Sequence, residues 1–372
     1  MRVGIVKEIK QAEYRVAMHA AGVAELTGRG HEVLVETGAG VHAGITDAAY
    51  VDAGATIVQD PDTVWEQAEL LLKVKEPLPE EYGRMRKDQI LFTYLHLAAS
   101  RECTVALLEA GTTSVAYEMV RGSGGTLPLL APMSQVAGRL AAQVAAYHLM
   151  APYGGSGVLL GGVPGTRRAK VLVVGGGVVG EQAAVMASGL GADVTIVDVN
   201  PARLSQLDTV YGGRIATRFS TAHDIAALAT DSDVVIGAVL IPGKQAPKLL
   251  TRPVIESMRP GSIVVDVAID QGGCTEVSRP TTHAEPTFRV GQTTMYCVAN
   301  MPGAVSATST AALANATLPY VLRLADGGLG AIASDPGLRA GLSTHAGALL
   351  HEEVAEAHEF SVTTVEVALA AL

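Results

Sequence analysis

A glycine-rich turn stands between a short apolar strand and a helix, and an acidic residue follows one strand later. Residues 170–174 form a β-branched apolar run, residues 175–180 read GGGVVG, and residues 181–190 have helical composition. A second strand is predicted over residues 194–197, directly before Asp198. This order of strand, G-x-G-x-x-G turn, helix, strand and terminal acid is typical of a dinucleotide-binding βαβ unit.

Each glycine of this turn meets a separate physical demand. Gly175 makes the tight turn, Gly177 lets the backbone approach a pyrophosphate, and Gly180 lets the helix pack close to the strand. The pyrophosphate then lies over the helix N-terminus, where unpaired amide groups favour negative charge. Asp198 can accept hydrogen bonds from the ribose hydroxyls and repel a 2′-phosphate, which predicts NAD rather than NADP. The alternative is an ordinary tight turn in an α/β protein.

Length and composition predict more than one domain of α/β class. With 372 residues, the chain exceeds what a single hydrophobic core usually holds. Aromatic residues make up only 4% of it, while Ala, Val, Leu and Gly are abundant. This composition suits buried parallel strands under closely packed helices rather than a β-sandwich. The formal net charge of -10, without a basic patch, argues against binding to nucleic acid or to an anionic membrane.

Cysteine usage and hydropathy predict a soluble cytoplasmic protein without a metal site. Cys103, Cys274 and Cys297 are odd in number and lack C-x-x-C spacing, so buried reduced thiols are expected rather than disulfides or zinc ligands. The N-terminus starts directly on a strand and lacks the pattern of a secretory signal. Gly or charge interrupts the apolar stretches well before the roughly 18 residues that a membrane span requires.

Short apolar runs alternate with helical stretches before residue 130. Strands are predicted over residues 3–6, 33–35, 70–74, 90–93 and 113–116, and helices over residues 20–29, 47–53, 62–67 and 100–110. These elements form a first α/β unit that lacks a glycine fingerprint. We expect this unit to hold the partner that is not a nucleotide.

The rest of the chain predicts a second unit and a return to the first. An Ala-rich helix is predicted over residues 134–150 with Ser134 as its N-cap. Further parallel strands are predicted over residues 233–237, 262–267 and 295–299, and a helix over residues 308–324. The remaining tail, with little β signal, should pack back on the first unit. We therefore predict two Rossmann-like, doubly wound parallel-sheet domains flanking a cleft: a substrate domain (1–130 and 306–372) and an NAD-binding domain (131–305).

Two basic residues of the first domain are candidates for binding a carboxylate. Arg15 follows the first strand, where the carboxyl ends of parallel strands open into a crevice, and its planar guanidinium matches a carboxylate bidentately. The alternative is a surface arginine paired with Glu13 or Glu8. Lys75 lies beside the loop after a predicted strand and is a better substrate ligand than Lys73, because a lysine buried in an apolar strand requires an anionic partner. The alternative is a solvated strand end.

His96 and Asp270 are candidates for acid/base chemistry. His96 follows an apolar run at the presumed carboxyl end of a strand, and an imidazole exchanges protons near neutral pH. Hydride abstraction from a C–N or C–O bond requires a neighbouring group that takes and returns a proton. Asp270 lies past a strand of the nucleotide domain, where it would face the nicotinamide end and hold a water, or pair with a cationic intermediate or with His96. The alternatives are a structural histidine and, for Asp270 and Asp266, turn capping.

A series of segments in one order resembles bacterial alanine dehydrogenase. They are KExKxxExRVA near the start, then LLLKVKEP, LHLAA, APMSxVAGRLA, the glycine turn with Asp198, AIDQGG and VANMPGAV. The resemblance runs through nearly the entire chain, and the order and separations are far more specific than any single motif. Close relatives on the same scaffold are the nucleotide-binding subunit of the proton-translocating transhydrogenase and the saccharopine dehydrogenases.

The resemblance implies NAD-dependent oxidative deamination of L-alanine to pyruvate and ammonium, with reductive amination as the reverse, by a homohexamer. It implies that Arg15 and Lys75 bind the substrate carboxylate and carbonyl, that His96 is the acid/base, and that Asp270 assists. The positions that match NAD contacts of the family are Ser134, Gly175, Gly177, Val178, Val179, Gly180, Asp198, Arg203, Ser220, Val239, Leu240, Val267, Ala268, Ile269, Asp270, Arg279, Val298, Ala299, Asn300 and Met301.

Two positions depart from the family pattern, and two other functions stay open. His19 and Ala20 stand where family members often have Thr-Pro, and Gln135 stands where Glu is frequent. Neither change removes a proposed catalytic group. The first open alternative is a transhydrogenase-like subunit that binds NAD(H) for a membrane partner. The second is a dehydrogenase of another small 2-amino or 2-hydroxy acid.

Overall fold

The structure, a computed structural model, describes residues 1–239 and 246–369. The chain divides into two compact units: unit 1 comprises Met1–Met133 and Gly303–Leu372, and unit 2 comprises Ser134–Pro302. Unit 2 is therefore one continuous stretch, whereas unit 1 is built from two separate segments. Each unit contains a mostly parallel sheet with flanking helices, so the predicted α/β class with two Rossmann-like domains is confirmed.

The first segment of unit 1 alternates strands and helices. In chain order it contains β1 (Arg2–Ile5), α1 (Ala20–Gly28), β2 (Glu32–Glu36), α2 (Asp47–Asp52), β3 (Thr56–Val58), α3 (Pro61–Gln67), β4 (Leu70–Leu72), α4 (Pro79–Tyr82), β5 (Ile90–Thr93), α5 (Arg101–Ala110) and β6 (Thr113–Ala116).

Helix α6 (Ala131–His148) leads into unit 2. The unit continues with β7 (Lys170–Val174), α7 (Val178–Gly189), β8 (Asp193–Asp198), α8 (Pro201–Tyr211), β9 (Ala216–Phe219), α9 (Ala222–Thr230), β10 (Val234–Gly237), α10 (Arg252–Glu256), β11 (Ile263–Asp266), β12 (Thr287–Val290) and β13 (Thr293–Tyr296). The second segment of unit 1 contains α11 (Ser306–Ser334), α12 (Pro336–Gly341), β14 (Leu342–His345), β15 (Ala348–Leu349), α13 (Glu352–His358) and α14 (Val365–Leu369).

The sheet of unit 2 has the strand order β12-β13-β11-β10-β7-β8-β9. All its neighbouring strands are parallel except β12, which pairs antiparallel with β13. Alternate residues of β7 belong to two different hydrophobic clusters, Val171 and Val173 to one, Leu172 and Val174 to the other, so both faces of the sheet are covered. The winding direction reverses between β7 and β10, and such a switch point is where ligands bind in open α/β sheets.

The sheet of unit 1 repeats this topology, with the order β15-β14-β6-β5-β4-β1-β2-β3. Strands β1 to β6 are parallel, and β14 pairs antiparallel with both β6 and β15. The tail, in which the sequence shows little β signal, therefore supplies two strands to this sheet. The signal was weak because β14 reads LSTH, whose buried Thr344 is accommodated by a hydrogen bond to Ser114 of β6 (Oγ1 to Oγ, 2.7 Å) rather than by apolar packing.

Helix α6 begins at Ala131, so the prediction that Ser134 is its N-cap is wrong. Pro132 lies in the first turn, where its missing amide hydrogen costs nothing and its fixed φ favours the helix. Within unit 2 the helix packs closely on α7: a Cβ at Gly138 would lie 2.2 Å from the carbonyl oxygen of Val179. The glycine therefore sets how near α6 can approach the helix that follows the glycine turn.

The His19 departure has a local structural role as the N-cap of α1. Its Nδ1 accepts a hydrogen bond from the Gly22 amide at 2.9 Å, and its Nε2 lies 2.9 Å from Oδ1 of Asn315 on α11. The imidazole thus performs the capping function that a threonine hydroxyl usually performs.

We predict that His19→Ala lowers the free energy of unfolding by about 0.5–2 kcal/mol, because an orphan amide of α1 loses its acceptor. His19→Thr is the matched control and should recover most of this loss. Urea denaturation of both variants measures the effect, and equal stability of the alanine and threonine variants would contradict the capping role.

Candidate active site and dinucleotide site

The candidate substrate residues of unit 1 follow three neighbouring strands of its sheet. Arg15 comes after β1, Lys75 after β4 and His96 after β5, and β1, β4 and β5 are hydrogen-bonded neighbours. The carboxyl ends of parallel strands meet at one edge of a sheet. The structure therefore brings these residues to the same edge of unit 1, and the Thr93 hydroxyl ties the two later segments together by donating to the Lys75 carbonyl (2.9 Å).

Arg15 is a buried arginine paired with Glu13. Its Nε donates to Glu13 Oε1 at 2.6 Å and its Nη2 donates to Glu13 Oε2, while Nη1 lies 3.0 Å from the Met133 sulfur. Burial alone would lower the pKa of Arg15, but the hydrogen bonds and charge of Glu13 raise it overall. The alternative of a surface arginine paired with Glu13 or Glu8 is right about the pairing with Glu13 and wrong about the surface position, because the residue is only 3% exposed.

Lys73 lies in a buried charge cluster and Lys75 beside it. Lys73 Nζ is 2.7 Å from Glu81 Oε1 and 3.4 Å from Glu8 Oε2. The other oxygen of Glu8 accepts hydrogen bonds from the backbone amides of Val74 (2.6 Å) and Lys75 (3.3 Å). Strand β4 ends at Leu72 rather than at residue 74, so both lysines lie in the loop beyond it. This cluster fixes the backbone of the segment that carries Lys75, which is half-buried rather than fully solvated.

Two carboxylates share one ammonium group in this cluster. Burial raises the pKa of the Glu8 carboxyl, against the opposing influence of Lys73 and the Val74 amide. Burial by itself would lower the pKa of Lys73, but Glu8 and Glu81 raise it overall. The two carboxylates keep Lys73 charged, whereas one shared ammonium group does not offset the burial of Glu8. Lys73 is thus a structural lysine.

His96 occupies a left-handed backbone conformation (φ 48°, ψ 41°), between β5 and the short 3-10 helix Leu97–Ala99. Its ring stacks parallel to that of Tyr94, with 5.9 Å between centroids, and its side chain is 45% exposed. The backbone amide of His96 donates to Oε1 of Glu118 at 2.6 Å. Left-handed non-glycine residues are uncommon and cluster at functional sites, so the conformation agrees with a functional rather than a structural histidine.

The glycine turn of unit 2 has the geometry that a dinucleotide requires. Gly175 has φ +102°, and a Cβ at Gly180 would lie 1.8 Å from the carbonyl oxygen of Gly175. Helix α7, twelve residues long, has Gly177 at its N-cap without a side-chain hydrogen bond, and among the described residues a Cβ at Gly177 would meet no atom within 4 Å. A helix N-terminus that follows such a turn is the arrangement that binds a pyrophosphate.

Asp198 and Arg203 hold the turn from the side of β8 and α8. Oδ2 of Asp198 accepts from the Gly176 amide at 2.7 Å, and Oδ1 accepts from the Asn200 amide at 2.8 Å. Arg203 Nε donates to the Gly176 carbonyl at 2.6 Å, and its Nη2 pairs with Glu181 of α7. The acid thus ends β8 beside the turn, where it can meet an adenosine ribose. Together with the shape of the turn, this placement fits a bound dinucleotide.

The other proposed cofactor residues lie mostly beyond the carboxyl ends of the same sheet. Helix α7 begins with Val178 and Val179, Ser220 follows β9, and Val239 follows β10. A 3-10 helix after β11 contains Val267, Ala268, Ile269 and Asp270. The segment after β13 contains Val298, Ala299, Asn300 and Met301. Ser134 lies in the first turns of α6, and the Arg279 guanidinium lies 4.4 Å from the centre of the Phe288 ring. Leu240 lies outside the described residues.

Asp270 and Asp266 have different roles. Asp266 is buried and accepts hydrogen bonds from the amides of Ala268 (3.1 Å) and Cys274 (2.9 Å) and from the Ser278 hydroxyl, which is the turn-capping alternative. Asp270 is exposed, and its Oδ1 accepts from the Asn300 amide at 3.2 Å. Asn300 is a further left-handed non-glycine residue (φ 57°). The structure therefore joins two of the predicted residues, Asp270 and Asn300, in one hydrogen bond.

Sequence reasoning missed the carboxylates that support the unit 1 residues. Glu118 binds the amide of His96, Glu8 binds the amide of Lys75, and Glu81 binds Lys73. One signal was present for Glu118, since it lies just after the predicted strand at residues 113–116, at the same edge of the sheet as His96.

Within residues 1–239 and 246–369, no helix combines the length and apolar character needed to cross a membrane. The three cysteines are buried free thiols.

Two family models together match most of the chain. Residues 4–137 match the domain described as "Alanine dehydrogenase/PNT, N-terminal domain", and residues 141–352 match "Alanine dehydrogenase/PNT, C-terminal domain". The chain belongs to the alanine dehydrogenase/PNT family. Among members of this family, the alanine dehydrogenase of Mycolicibacterium smegmatis is 60% identical over 357 residues, which cover 96% of each chain. That of Bacillus subtilis is 53% identical over 371 residues, 99% of this chain and 98% of the relative.

Solved structures of the alanine dehydrogenase/PNT family have the same fold. An L-alanine dehydrogenase superposes with a TM-score of 0.94 at 50% identity, covering 96% of this chain and 99% of that chain. A transhydrogenase from Sinorhizobium meliloti superposes with a TM-score of 0.82 at 29% identity, covering 94% and 100%. The resemblance to alanine dehydrogenase that the sequence motifs indicated is thereby confirmed.

Proposed function

We propose that this protein is an NAD-dependent alanine dehydrogenase, which converts L-alanine and water to pyruvate and ammonium and catalyses the reverse reductive amination. The observation that carries the proposal is that Arg15, Lys75 and His96 follow three neighbouring strands of a sheet that has no glycine fingerprint, in a chain whose other unit has one. Identity of 60% to an alanine dehydrogenase over nearly the full length supports alanine as the substrate.

The cofactor is held by unit 2 in this proposal. The amides at the start of α7 bind the pyrophosphate, because the helix N-terminus follows the glycine turn without a side-chain cap. Asp198 binds the adenosine ribose, because it lies at the end of β8. When bound, NAD accepts a hydride from the α-carbon of the substrate. Asp270 and Asn300, joined by their hydrogen bond, complete the polar groups that we assign to the cofactor region, with Asp270 stabilising positive charge.

The substrate is held by unit 1. Lys75 supplies a cationic group on a backbone that Glu8 fixes, and Arg15 supplies the second cation, held rigid by Glu13. Two cationic side chains select a small ligand that carries a carboxylate and orient it, and this positioning carries much of the barrier reduction in reactions of this kind. A ligand without a carboxylate lacks the group that these side chains would bind.

His96 acts as the acid/base in this proposal. The ammonium group of alanine first loses a proton to solvent, and loss of hydride from the amine then leaves an iminium. The imidazole takes a proton from water as the water oxygen adds to the α-carbon, which gives a carbinolamine. The same imidazole returns that proton to the nitrogen so that ammonia departs, and it accepts the hydroxyl proton of the carbinolamine as the carbonyl of pyruvate forms. The 45% exposure of the His96 side chain suits this role, because the histidine must exchange protons with water between turnovers.

The alternative functions make different demands on unit 1. A transhydrogenase-like NAD(H)-binding subunit has no amino acid to bind, so it does not require Lys75 and His96 at one sheet edge. Identity also favours the dehydrogenase, at 50% to the L-alanine dehydrogenase structure against 29% to the transhydrogenase. A dehydrogenase of another small 2-amino or 2-hydroxy acid would use the same polar groups, and only a substrate panel separates it from an alanine dehydrogenase.

The deciding experiment follows NADH absorbance with purified full-length protein. NAD is supplied with a panel of amino and hydroxy acids, and NADH is supplied with pyruvate, with and without ammonium. Alanine should give the highest kcat/KM in the panel, and NADH oxidation by pyruvate should require ammonium. Tight NADH binding without turnover on any acid would instead favour the transhydrogenase-like subunit, and preference for a hydroxy acid would favour the third function.

Cofactor preference gives a separate prediction. Asp198→Ala should lower the ratio of kcat/KM for NAD to that for NADP by about tenfold or more, because a carboxylate beside a 2′-phosphate costs several kcal/mol. Loss of the Asp198 hydrogen bond to Gly176 damages the turn for both cofactors, so the ratio isolates the charge effect. Steady-state kinetics with both cofactors measure it. An unaltered protein that used NADP as well as NAD would contradict the assignment of Asp198.

We also propose that the protein works as a cytoplasmic homohexamer, which the family resemblance supports. Light scattering on the purified protein tests the assembly. A monodisperse mass of six chains agrees with the proposal, and a monomer contradicts it.

A further inference from the structure

The His96 turn has a backbone conformation that requires outside support. His96 is left-handed, and its own carbonyl accepts the Ala99 amide at 2.9 Å as the chain enters the 3-10 helix. A side chain with a Cβ adopts this region rarely, and surrounding contacts must stabilise it there. The position of the imidazole therefore depends on whatever holds the peptide groups on both sides of residue 96.

One carboxylate binds two consecutive amides of this turn. Oε1 of Glu118 accepts from the His96 amide at 2.6 Å and from the Leu95 amide at 3.2 Å, and Oε2 lies 3.3 Å from the Leu95 amide. Glu118 follows β6, the strand next to β5 in the sheet. Its side chain is 14% exposed, against 45% for His96. A carboxylate shielded from water makes stronger hydrogen bonds than an exposed one.

The same carboxylate also acts on the imidazole. Oε1 of Glu118 lies 3.8 Å from Nδ1 of His96, which is too far for a hydrogen bond but close enough for charge to attract the ring when it carries a proton. Glu118 thus fixes the backbone of His96 by hydrogen bonds and faces the Nδ1 side of its ring with negative charge.

Other contacts hold the far side of the turn. The Leu97 carbonyl accepts from Nε2 of His358 at 2.7 Å and from the hydroxyl of Thr104 at 3.3 Å. These bonds anchor the 3-10 helix after the turn and leave the amides of Leu95 and His96 to Glu118. Removal of Glu118 would therefore release the turn at residue 96 while the following helix stays attached.

We infer that Glu118 is a positioning residue for the reaction, one that keeps His96 in its left-handed conformation with the Nδ1 side of the ring toward the carboxylate and the Nε2 side available for proton transfer. The inference rests on the proposed function. The carboxylate does not contact substrate or cofactor in this scheme, and its effect reaches the chemistry only through His96.

A double-mutant cycle with full-length protein tests this. Glu118→Ala should lower kcat for alanine oxidation by about 10- to 100-fold while KM for alanine and Kd for NADH stay within about threefold, because misplacement of a catalytic group lowers the rate without removing binding groups. In a His96→Asn background the same change should lower kcat by less than about twofold, since residues that act as a unit are not additive. Equal losses in both backgrounds would overturn the inference.

Two further variants complement the double-mutant cycle: one tests the amide hydrogen bonds, and the other is a control. Glu118→Gln retains an oxygen that can accept the His96 amide and should keep more activity than Glu118→Ala. This variant also replaces alanine in the cycle if the alanine variant does not fold. Glu109→Gln changes an exposed glutamate of the same unit, on α5, and should leave kcat unchanged. Activity of the alanine variant equal to that of the glutamine variant would contradict a role for the amide hydrogen bonds.

A crystal structure of the Glu118→Ala variant gives a readout independent of turnover. We expect residue 96 to leave the left-handed region; an unchanged backbone there would overturn the inference. If the unaltered protein does not turn over alanine, the proposed function fails, while this structure still decides whether Glu118 holds the turn.

Discussion

Replacement of His96 by asparagine is expected to lower kcat for alanine oxidation by about 10²- to 10⁴-fold, the usual contribution of a positioned acid/base group. Asparagine tolerates the left-handed conformation better than most residues, so the turn at φ 48° should survive while the titrating ring is lost. The residues assigned to NAD lie in unit 2, and the Kd for NADH should therefore remain within about threefold of its original value.

The control for this variant is His223→Asn, an exposed histidine on α9 of unit 2. It makes the same chemical change away from the proposed chemistry and should retain full kcat. Stopped-flow and steady-state measurements of NADH formation compare the two variants. Turnover of the His96 variant at the rate of the unaltered protein would exclude His96 as the acid/base.

Gly180→Ala is expected to produce the largest loss of cofactor binding. The new Cβ would lie 1.8 Å from the Gly175 carbonyl oxygen and 3.1 Å from a Val173 methyl group, and the oxygen belongs to a backbone that cannot swing aside. Either α7 moves away from β7 or the turn changes shape. We expect unfolding free energy to fall by about 1–3 kcal/mol, the usual cost of overpacking, and the Kd for NADH to rise at least about tenfold as the helix N-terminus shifts.

The matched control lies on the same helix. Gly189→Ala places a Cβ where no atom of another described segment lies within 4 Å, so it should leave NADH binding unchanged and stabilise the protein by up to about 1 kcal/mol. Fluorescence titration with NADH and urea denaturation measure both variants. If the two substitutions had the same small effect on NADH binding, close packing at Gly180 would not be what shapes the cofactor site.

The sequence predicted those parts of the site that depend on strand ends. A short apolar run marks a buried parallel strand, and the residue just beyond it lies at the carboxyl edge of the sheet wherever that strand pairs. Lys75 and His96 were placed on this basis, and the structure sets them after the neighbouring strands β4 and β5. The glycine turn was predictable for a similar reason, since its demands are local to residues 175–180 and to the Asp198 that follows.

Hydrogen-bond partners that meet only through tertiary contacts were not predicted from strand ends. The carboxylate that holds His96 lies 22 positions away, just after the next strand of the sheet, and nothing in the periodicity of either segment pairs the two residues. Strand β14 was missed because its polar residues have hydrogen-bond partners elsewhere in the fold: Thr344 pairs with Ser114, 230 positions earlier, and His345 pairs with Thr113. Ser134 was assigned as a cap from residue type alone, although Pro132 allows α6 to begin sooner. Propensity is a weak prior where longer-range contacts decide.

The split of unit 1 around unit 2 has a consequence for synthesis. Residues 134–302 leave the ribosome as one block and can fold as it emerges, since domains generally fold as units in the order of translation. Strand β6, in contrast, waits for β14 to pair with its outer edge. A nascent chain therefore passes through a stage in which unit 2 is complete while the sheet of unit 1 exposes β6 as an unpaired edge strand. Such an edge recruits chaperones or aggregates.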